Sequence, residues 1–211
     1  MNTLPTPTTA EASARLTRQL DFIWEIDRLK GILRQTRVLG GERRENSAEH
    51  SWHLAVMAVL LGEYAAPGAD VLRVVKMVLI HDLVEIDADD VFCYDAAATV
   101  GKAERELRAA ERIFGLLPPD QGRELRALWE EFEAGETPEA RFAIALDRLQ
   151  PLIENYHSEG GTWRIHGIAR DQVLARMEPI RDALPDLWPY VMGIIDESCA
   201  LGHIRTPRTG M

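Results

Sequence analysis

The segment Val71 to Leu83 carries Val, Leu, Met and Ile in nearly every direction around a helix. Such a pattern belongs to a central helix buried on all sides, not to one that shows a face to solvent. A chain containing it must supply other helices to cover it. Nowhere does the sequence alternate with period two for long enough to make a convincing strand. The spacing therefore predicts an all-α fold.

The other helices follow from periodicity and punctuation. Leu16, Leu20, Ile23, Ile26 and Leu29 keep helical spacing within 12–37, and Gly40-Gly41 marks a loop. Asn46-x-x-Glu49 resembles a capping box, and His50, Leu54, Met57 and Leu61 then share one face until Pro67-Gly68. Helices are expected over 102–116, 119–134 and 138–156, the last opened by Thr137-Pro138 and kinked at Pro151. Two more are expected over 170–183 and 186–201, after a Gly160-Gly161 loop. With 211 residues, one domain over 13–203 is expected, flanked by flexible tails at 1–12 and 204–211.

Charge narrows the partners. The 24 Lys and Arg against 34 Asp and Glu leave a formal charge of -10, which repels polynucleotides and anionic membranes. No apolar run approaches the roughly 18 residues of a membrane span. The Thr- and Pro-rich start lacks the basic and apolar parts of a signal peptide. Cys93 and Cys199 form neither a metal-spaced motif nor a disulfide framework. A cytoplasmic protein is expected.

Several residues do not suit a core. The buried helix delivers His81 and Asp82 into the interior, and Glu85, Asp87, Asp89 and Asp90 follow with no Lys or Arg among them. Asp87 and Asp89 are expected to face water. His50 lies on the buried face of its helix, and Asp147 is set in Phe142-Ala143-Ile144-Ala145-Leu146 and Leu149. Singly, each has a structural explanation, such as an ion pair between Asp147 and Arg148. Together they bring two imidazoles and two carboxylates into one interior, where an uncompensated charge is costly. Nitrogen and oxygen donors without sulfur suit one divalent ion among Mn, Fe, Co, Ni, Zn and Mg. Such an ion ionises water near neutral pH, making a nucleophile. The chain lacks HExxH, GxSxG, a P-loop and GxGxxG. Metal-assisted hydrolysis is the leading chemistry.

Upstream, Arg28, Lys30, Arg34, Arg37, Arg43 and Arg44 outnumber Asp27 and Glu42. This local excess in an acidic protein suggests a phosphate, with Arg34 the strongest single contact and Arg28 and Lys30 solvated.

These residues resemble the H…HD…D signature of the HD-domain metal-dependent phosphohydrolases. Leu29-Lys30-Gly31-Ile32-Leu33-Arg34, Glu45-Asn46-Ser47-Ala48-Glu49-His50-Ser51 and His81-Asp82-Leu83-Val84-Glu85 with Asp90 are similar to the branch containing 5′-deoxynucleotidases. The likeness runs from about residue 18 to 157. It implies a helical bundle around a buried metal site, with His50, His81, Asp82 and Asp147 holding one divalent ion. Arg34 would contact phosphate, Glu85 would handle the proton or orient the water beside Asp82, and Asp90 would contact the sugar. The implied reaction removes phosphate from a (deoxy)ribonucleoside 5′-monophosphate by attack of metal-bound water. The family often places a Trp soon after the arginine, where this chain has Gln35-Thr36-Arg37.

Two rivals stand beside that reading: a phosphodiesterase or phosphatase of another phosphorylated metabolite, and a non-catalytic nucleotide-binding protein with a structural metal. A homodimer is expected from the resemblance and from apolar residues between Leu184 and Ile195. His53 is expected to pack or to support His50. Residues 155–166 are expected to form a surface loop, and Cys93 a small buried filler.

Overall fold

The computed structural model describes residues 9–40, 43–95 and 97–206. Helices dominate them, as the periodicity predicts: α1 Thr9–Ile26, α2 Ser47–Leu61, α3 Val71–Ile80, α4 Glu85–Ala88, α5 Lys102–Gly115, α6 Pro119–Ala134, α7 Pro138–His157, α8 Gly161–His166, α9 Arg170–Ala183 and α10 Trp188–Ala200. The first eight and last five residues, where the outer parts of both tails were expected, lie outside the described residues, as do Gly41, Glu42 and Ala96. Residues 9–12, expected in the N-terminal tail, begin α1. Ile204, expected in the C-terminal tail, is buried, and Arg205 pairs with Ala169 across a backbone bridge.

The long helix α7 is the axis of the packing. It lies against α2, α3, α6, α9 and α10, burying Phe142, Leu146, Leu149 and Leu152. Thr137 caps it, accepting from the Ala140 amide at 3.2 Å, with Pro138 in the first turn. α7 runs unbroken through Pro151, which has no amide hydrogen to give the Asp147 carbonyl. Between α5 and α6 the backbones approach closely at Gly122, where a Cβ would stand 2.5 Å from the Phe114 carbonyl oxygen.

Two local departures from the expected helices matter for the site. The helix expected over 12–37 stops at Ile26; a 3-10 turn, Asp27–Gly31, follows, and then an antiparallel hairpin of β1 Leu33–Arg37 and β2 Arg44–Asn46. Cross-strand side-chain bonds compensate for its shortness. The Arg44 guanidinium donates to the Leu33 carbonyl at 2.7 Å and also to that of Arg34, and Thr36 Oγ1 donates to Glu45 at 3.2 Å. The helix expected over 71–83 ends at Ile80 and tightens into a 3-10 turn, His81–Val84. α2 begins on the expected capping box, Glu49 N to Asn46 Oδ1 at 2.9 Å and Asn46 N to Glu49 Oε2 at 3.2 Å. It ends at Leu61, earlier than Pro67, and a 3-10 turn, Gly62–Tyr64, follows.

The C-terminal apolar residues complete the core. Leu184, Val191, Ile194 and Ile195 are buried within the chain's own interior. No helix among the described residues is long and apolar enough to cross a membrane.

Candidate metal centre and active site

Three elements deliver the polar residues that the sequence placed in the core. His50 comes from the buried face of α2, His81 and Asp82 from the 3-10 turn after α3, and Asp147 from α7. His50 Nε2 lies 2.9 Å from Asp147 Oδ1, and His81 Nε2 lies 3.8 Å from the same oxygen. Asp82 Oδ1 stands 3.0 Å from His81 Nε2, and Asp82 Oδ2 4.0 Å from His50 Nε2. Donor atoms of His50, His81 and Asp147 all fall within 4.8 Å of one another.

The tautomers suit an ion. His81 Nδ1 is 2.9 Å from the Val78 carbonyl oxygen, to which it can only donate, and His50 Nδ1 is 3.0 Å from Gln150 Oε1. Both rings are thereby left with Nε2 toward the carboxylates. His81 Nε2 is buried without a hydrogen bond despite its closeness to Asp82, because the geometry is wrong for one. An orphaned imidazole nitrogen facing two carboxylates fits a divalent ion. Electrostatics agree. Burial opposes charge on His81, yet Asp82 and Asp147 raise its pKa to about 10. Burial likewise opposes charge on Asp82, but His81, Arg34 and His50 bring it down to about 2. Asp147 is buried too, and Arg148, His50 and His81 hold its carboxylate well below the usual range. The cluster draws a positive charge into itself.

Arg34 projects from β1 beside this cluster. Its NH1 donates to Asp82 Oδ2 at 3.0 Å, and Glu45 and Asp90 lie at 3.5 and 3.9 Å. Its Nε is buried with no hydrogen bond and faces Glu45 Oε2. Three of the other basic residues of the upstream cluster pair elsewhere: Arg28 with Glu25, Lys30 with Asp27 and Arg43 with Glu49. Glu85 is buried at the start of α4 and accepts from Ser47 Oγ at 2.6 Å. Its burial, with Asp82 adjacent, pushes its pKa well above the ordinary carboxylate value. Asp90 follows Asp89, whose φ of 61° and ψ of 156° form a strained conformation for a non-glycine residue. Asp87 and Asp89 are exposed as expected.

Arg34, His81, Asp82, Glu85, Asp90 and Asp147 share one cavity of about 260 Å³. Its far lining was not foreseen. Residues 155–166, expected as a surface loop, instead finish α7 and form α8. Asn155 Oδ1 accepts from both the amide and the hydroxyl of Thr162 at 2.7 Å, which seats Trp163 in the wall. Asn155 and Thr162 satisfy each other inside, while His157, Glu159, Arg164 and His166 stay exposed. Trp163, Phe92 and Tyr94 give the cavity aromatic surface, and Arg148 and Arg176 give it further charge. Cys93 is exposed at this lining, not buried as expected.

Gln150 was also missed. Its Nε2 donates to Glu45 Oε1 at 2.8 Å and to Glu154 Oε1 at 2.6 Å, and lies 3.5 Å from His53 Nδ1. The amide nitrogen thus stands within 3.5 Å of all three members of a second acidic group, Glu45, His53 and Glu154. His53 lies behind Gln150, not among the donors around Asp147.

Comparisons with known proteins agree with this arrangement. The model of the HD domain family matches residues 26–188. Human 5′-deoxynucleotidase HDDC2 is 31% identical over 64% of this chain and 65% of its own length, so the alignment spans just under two thirds of that protein. The zebrafish (Danio rerio) protein of the same name is 28% identical over 68% of this chain and 71% of its own length. A solved structure from Magnetospirillum magnetotacticum, described as a predicted metal-dependent phosphohydrolase, is 51% identical. It superposes with a TM-score of 0.88, covering 94% of this chain and 99% of that one. An HD-domain phosphohydrolase from Listeria innocua shares the fold at a TM-score of 0.63 and 18% identity, covering 88% of this chain and 92% of its own. The family and the His/Asp cluster together indicate a divalent metal, and the chain belongs to the HD domain family.

Proposed function

We propose that this protein is a metal-dependent phosphohydrolase that removes phosphate from nucleoside 5′-monophosphates, deoxyribonucleotides included. The observation that carries the reading is the common focus of His50 Nε2, His81 Nε2, Asp82 and Asp147 beside the buried guanidinium of Arg34. The 5′-deoxynucleotidase names of the relatives support the nucleotide part.

His50, His81, Asp82 and Asp147 would hold one divalent ion drawn from Mn, Fe, Co, Ni, Zn and Mg. When bound, that ion supplies Lewis acidity and an ionised water. Arg34 binds the phosphate and stabilises the charge that grows on the phosphoryl oxygens. Glu85, held by Ser47, takes or relays a proton at the reacting water. Asp90 lines the same cavity and would contact the sugar. Trp163 offers the aromatic surface that Gln35-Thr36-Arg37 lack.

A homodimer and a cytoplasmic setting complete the proposal. Leu20, Ile23 and Trp24 on α1, and Trp52, Val59 and Leu60 on α2, are exposed apolar side chains of the kind a partner subunit covers. The net charge of -10 and two free cysteines accord with the cytoplasm.

The test is phosphate release from ribo- and deoxyribonucleoside 5′-monophosphates by metal-stripped protein resupplied with Mn, Co, Mg or Zn. Metal-dependent release is the expected result. Absence of release from every nucleotide, with protein shown to bind the metal, refutes the nucleotide reading.

A further inference from the structure

Arg34 is not the only arginine in the cavity. Arg148 on α7 and Arg176 on α9 both line it. Arg148 donates through NH1 to Asp147 Oδ2 and is mostly buried. The other oxygen of that carboxylate, Oδ1, faces His50 and His81. Asp147 therefore divides its charge between Arg148 and the metal cluster. Arg176 is half-buried, and among the described residues no carboxylate pairs with it.

Arg34 sits differently. Three carboxylates, Asp82, Glu45 and Asp90, surround it within 4 Å. Of the other cavity acids, Glu106 is held by Lys102 at 3.0 Å, Glu85 accepts from Ser47, and Glu133 makes no ion pair with Arg176. Of the two arginines only Arg148 has a carboxylate partner, and that carboxylate is promised to a metal, which leaves a net cationic position in the cavity that Tyr94 and Trp163 also line. A half-buried, unpaired arginine is costly unless an anion visits it.

We propose that Arg148 and Arg176 form a second anion-binding position, and that the favoured substrate is a phosphomonoester bearing another anionic group, phosphate or carboxylate, on its organic part. This rests on the proposed function for the phosphate that is removed. Arg34 and the metal residues hold that phosphate, and the arginine pair takes the other group. Specificity then follows from charge at both ends of the ligand.

The experiment compares two pairs of substrates on the metal-loaded enzyme: thymidine 5′-monophosphate with thymidine 3′,5′-bisphosphate, and uridine 5′-monophosphate with orotidine 5′-monophosphate. The first pair adds a phosphate and the second a carboxylate. The expected result is a kcat/KM about tenfold or more higher for the doubly anionic member of at least one pair, as a charged hydrogen bond supplies. That ratio should fall toward one in Arg176→Gln and persist in part in Arg176→Lys, which keeps the charge. The pair that responds identifies the group. No preference in either pair, or an equal loss for all four compounds in Arg176→Gln, overturns the inference. Equilibrium binding of the same compounds separates this inference from the hydrolytic reading. Tighter binding of a doubly anionic compound that Arg176→Gln abolishes, with no phosphate released from any compound, upholds the anion position and refutes the hydrolysis. Release without preference does the reverse.

Discussion

His50 Nδ1 and Gln150 Oε1 lie 3.0 Å apart, and Gln150 stands three residues after Asp147 on the same helix. One turn of α7 thus presents both a carboxylate to the metal cluster and the acceptor that fixes an imidazole of that cluster. Gln150→Leu removes the acceptor and takes the amide donor from Glu45 Oε1 and Glu154 Oε1. Metal affinity should fall by about 10- to 100-fold. A competitive titration against a chelator measures it, and unchanged affinity would show that His50 needs no such partner.

Glu85 and Asp82 should separate cleanly. Asp82→Ala is expected to lose metal and turnover together. Glu85→Gln should keep the metal and lower kcat by about 10²- to 10⁴-fold, the range of general acid–base catalysis. Metal content by elemental analysis, read beside turnover, decides it. Normal turnover in Glu85→Gln would remove the residue from the proton path.

Arg34→Lys keeps a charge but loses the planar donor fork. With the fork lost, kcat/KM should fall by about tenfold or more and inorganic phosphate should inhibit less. Equal phosphate inhibition in both proteins would place the anion elsewhere.

Burial, together with the Glu45 carboxyl beside it, lifts the pKa of Glu154 to about 8. The folded state then binds a proton that the unfolded chain, with an ordinary glutamate, releases above about pH 4.5. Stability contributed by this proton is complete below that pH and is lost as pH rises toward 8, with a limiting slope of about 1.4 kcal/mol per pH unit. Glu154→Gln should flatten the decline in Tm between pH 5 and 8. An unaltered Tm profile would mean that the proton is held elsewhere.

Trp24 is 83% exposed on α1. If α1 and α2 meet a second copy, Trp24→Glu should convert a dimer into a monomer in sedimentation velocity. A parent protein that sediments as a monomer refutes the homodimer.

Much of the bundle was legible because its helices obey simple rules. Asn46 with Glu49 and Thr137 with Pro138 mark helix starts that the structure keeps. The carboxylates and imidazoles gathered around Asp147 were visible because such groups are anomalous in apolar surroundings. The hairpin was not visible: strands as short as Leu33–Arg37 and Arg44–Asn46 leave no measurable alternation, and Arg44 stabilises them by bonds that periodicity does not record. Gln150 is uncharged and gives no signal in an amphipathic helix. Trp163 hid in a polar stretch whose hydrogen bonds close on themselves through Asn155. Arg176 looked like any helix-surface cation until α9 was laid beside α7.

His50 and Asp147 stand 97 positions apart in the chain and 2.9 Å apart in space. No fragment short of that span can carry both, and closing so long a loop is among the slower events of folding. Turnover therefore serves as a gauge of complete assembly. A polypeptide still emerging from the ribosome, or one cut between these two residues and separated, would hold much of its helix and none of its chemistry.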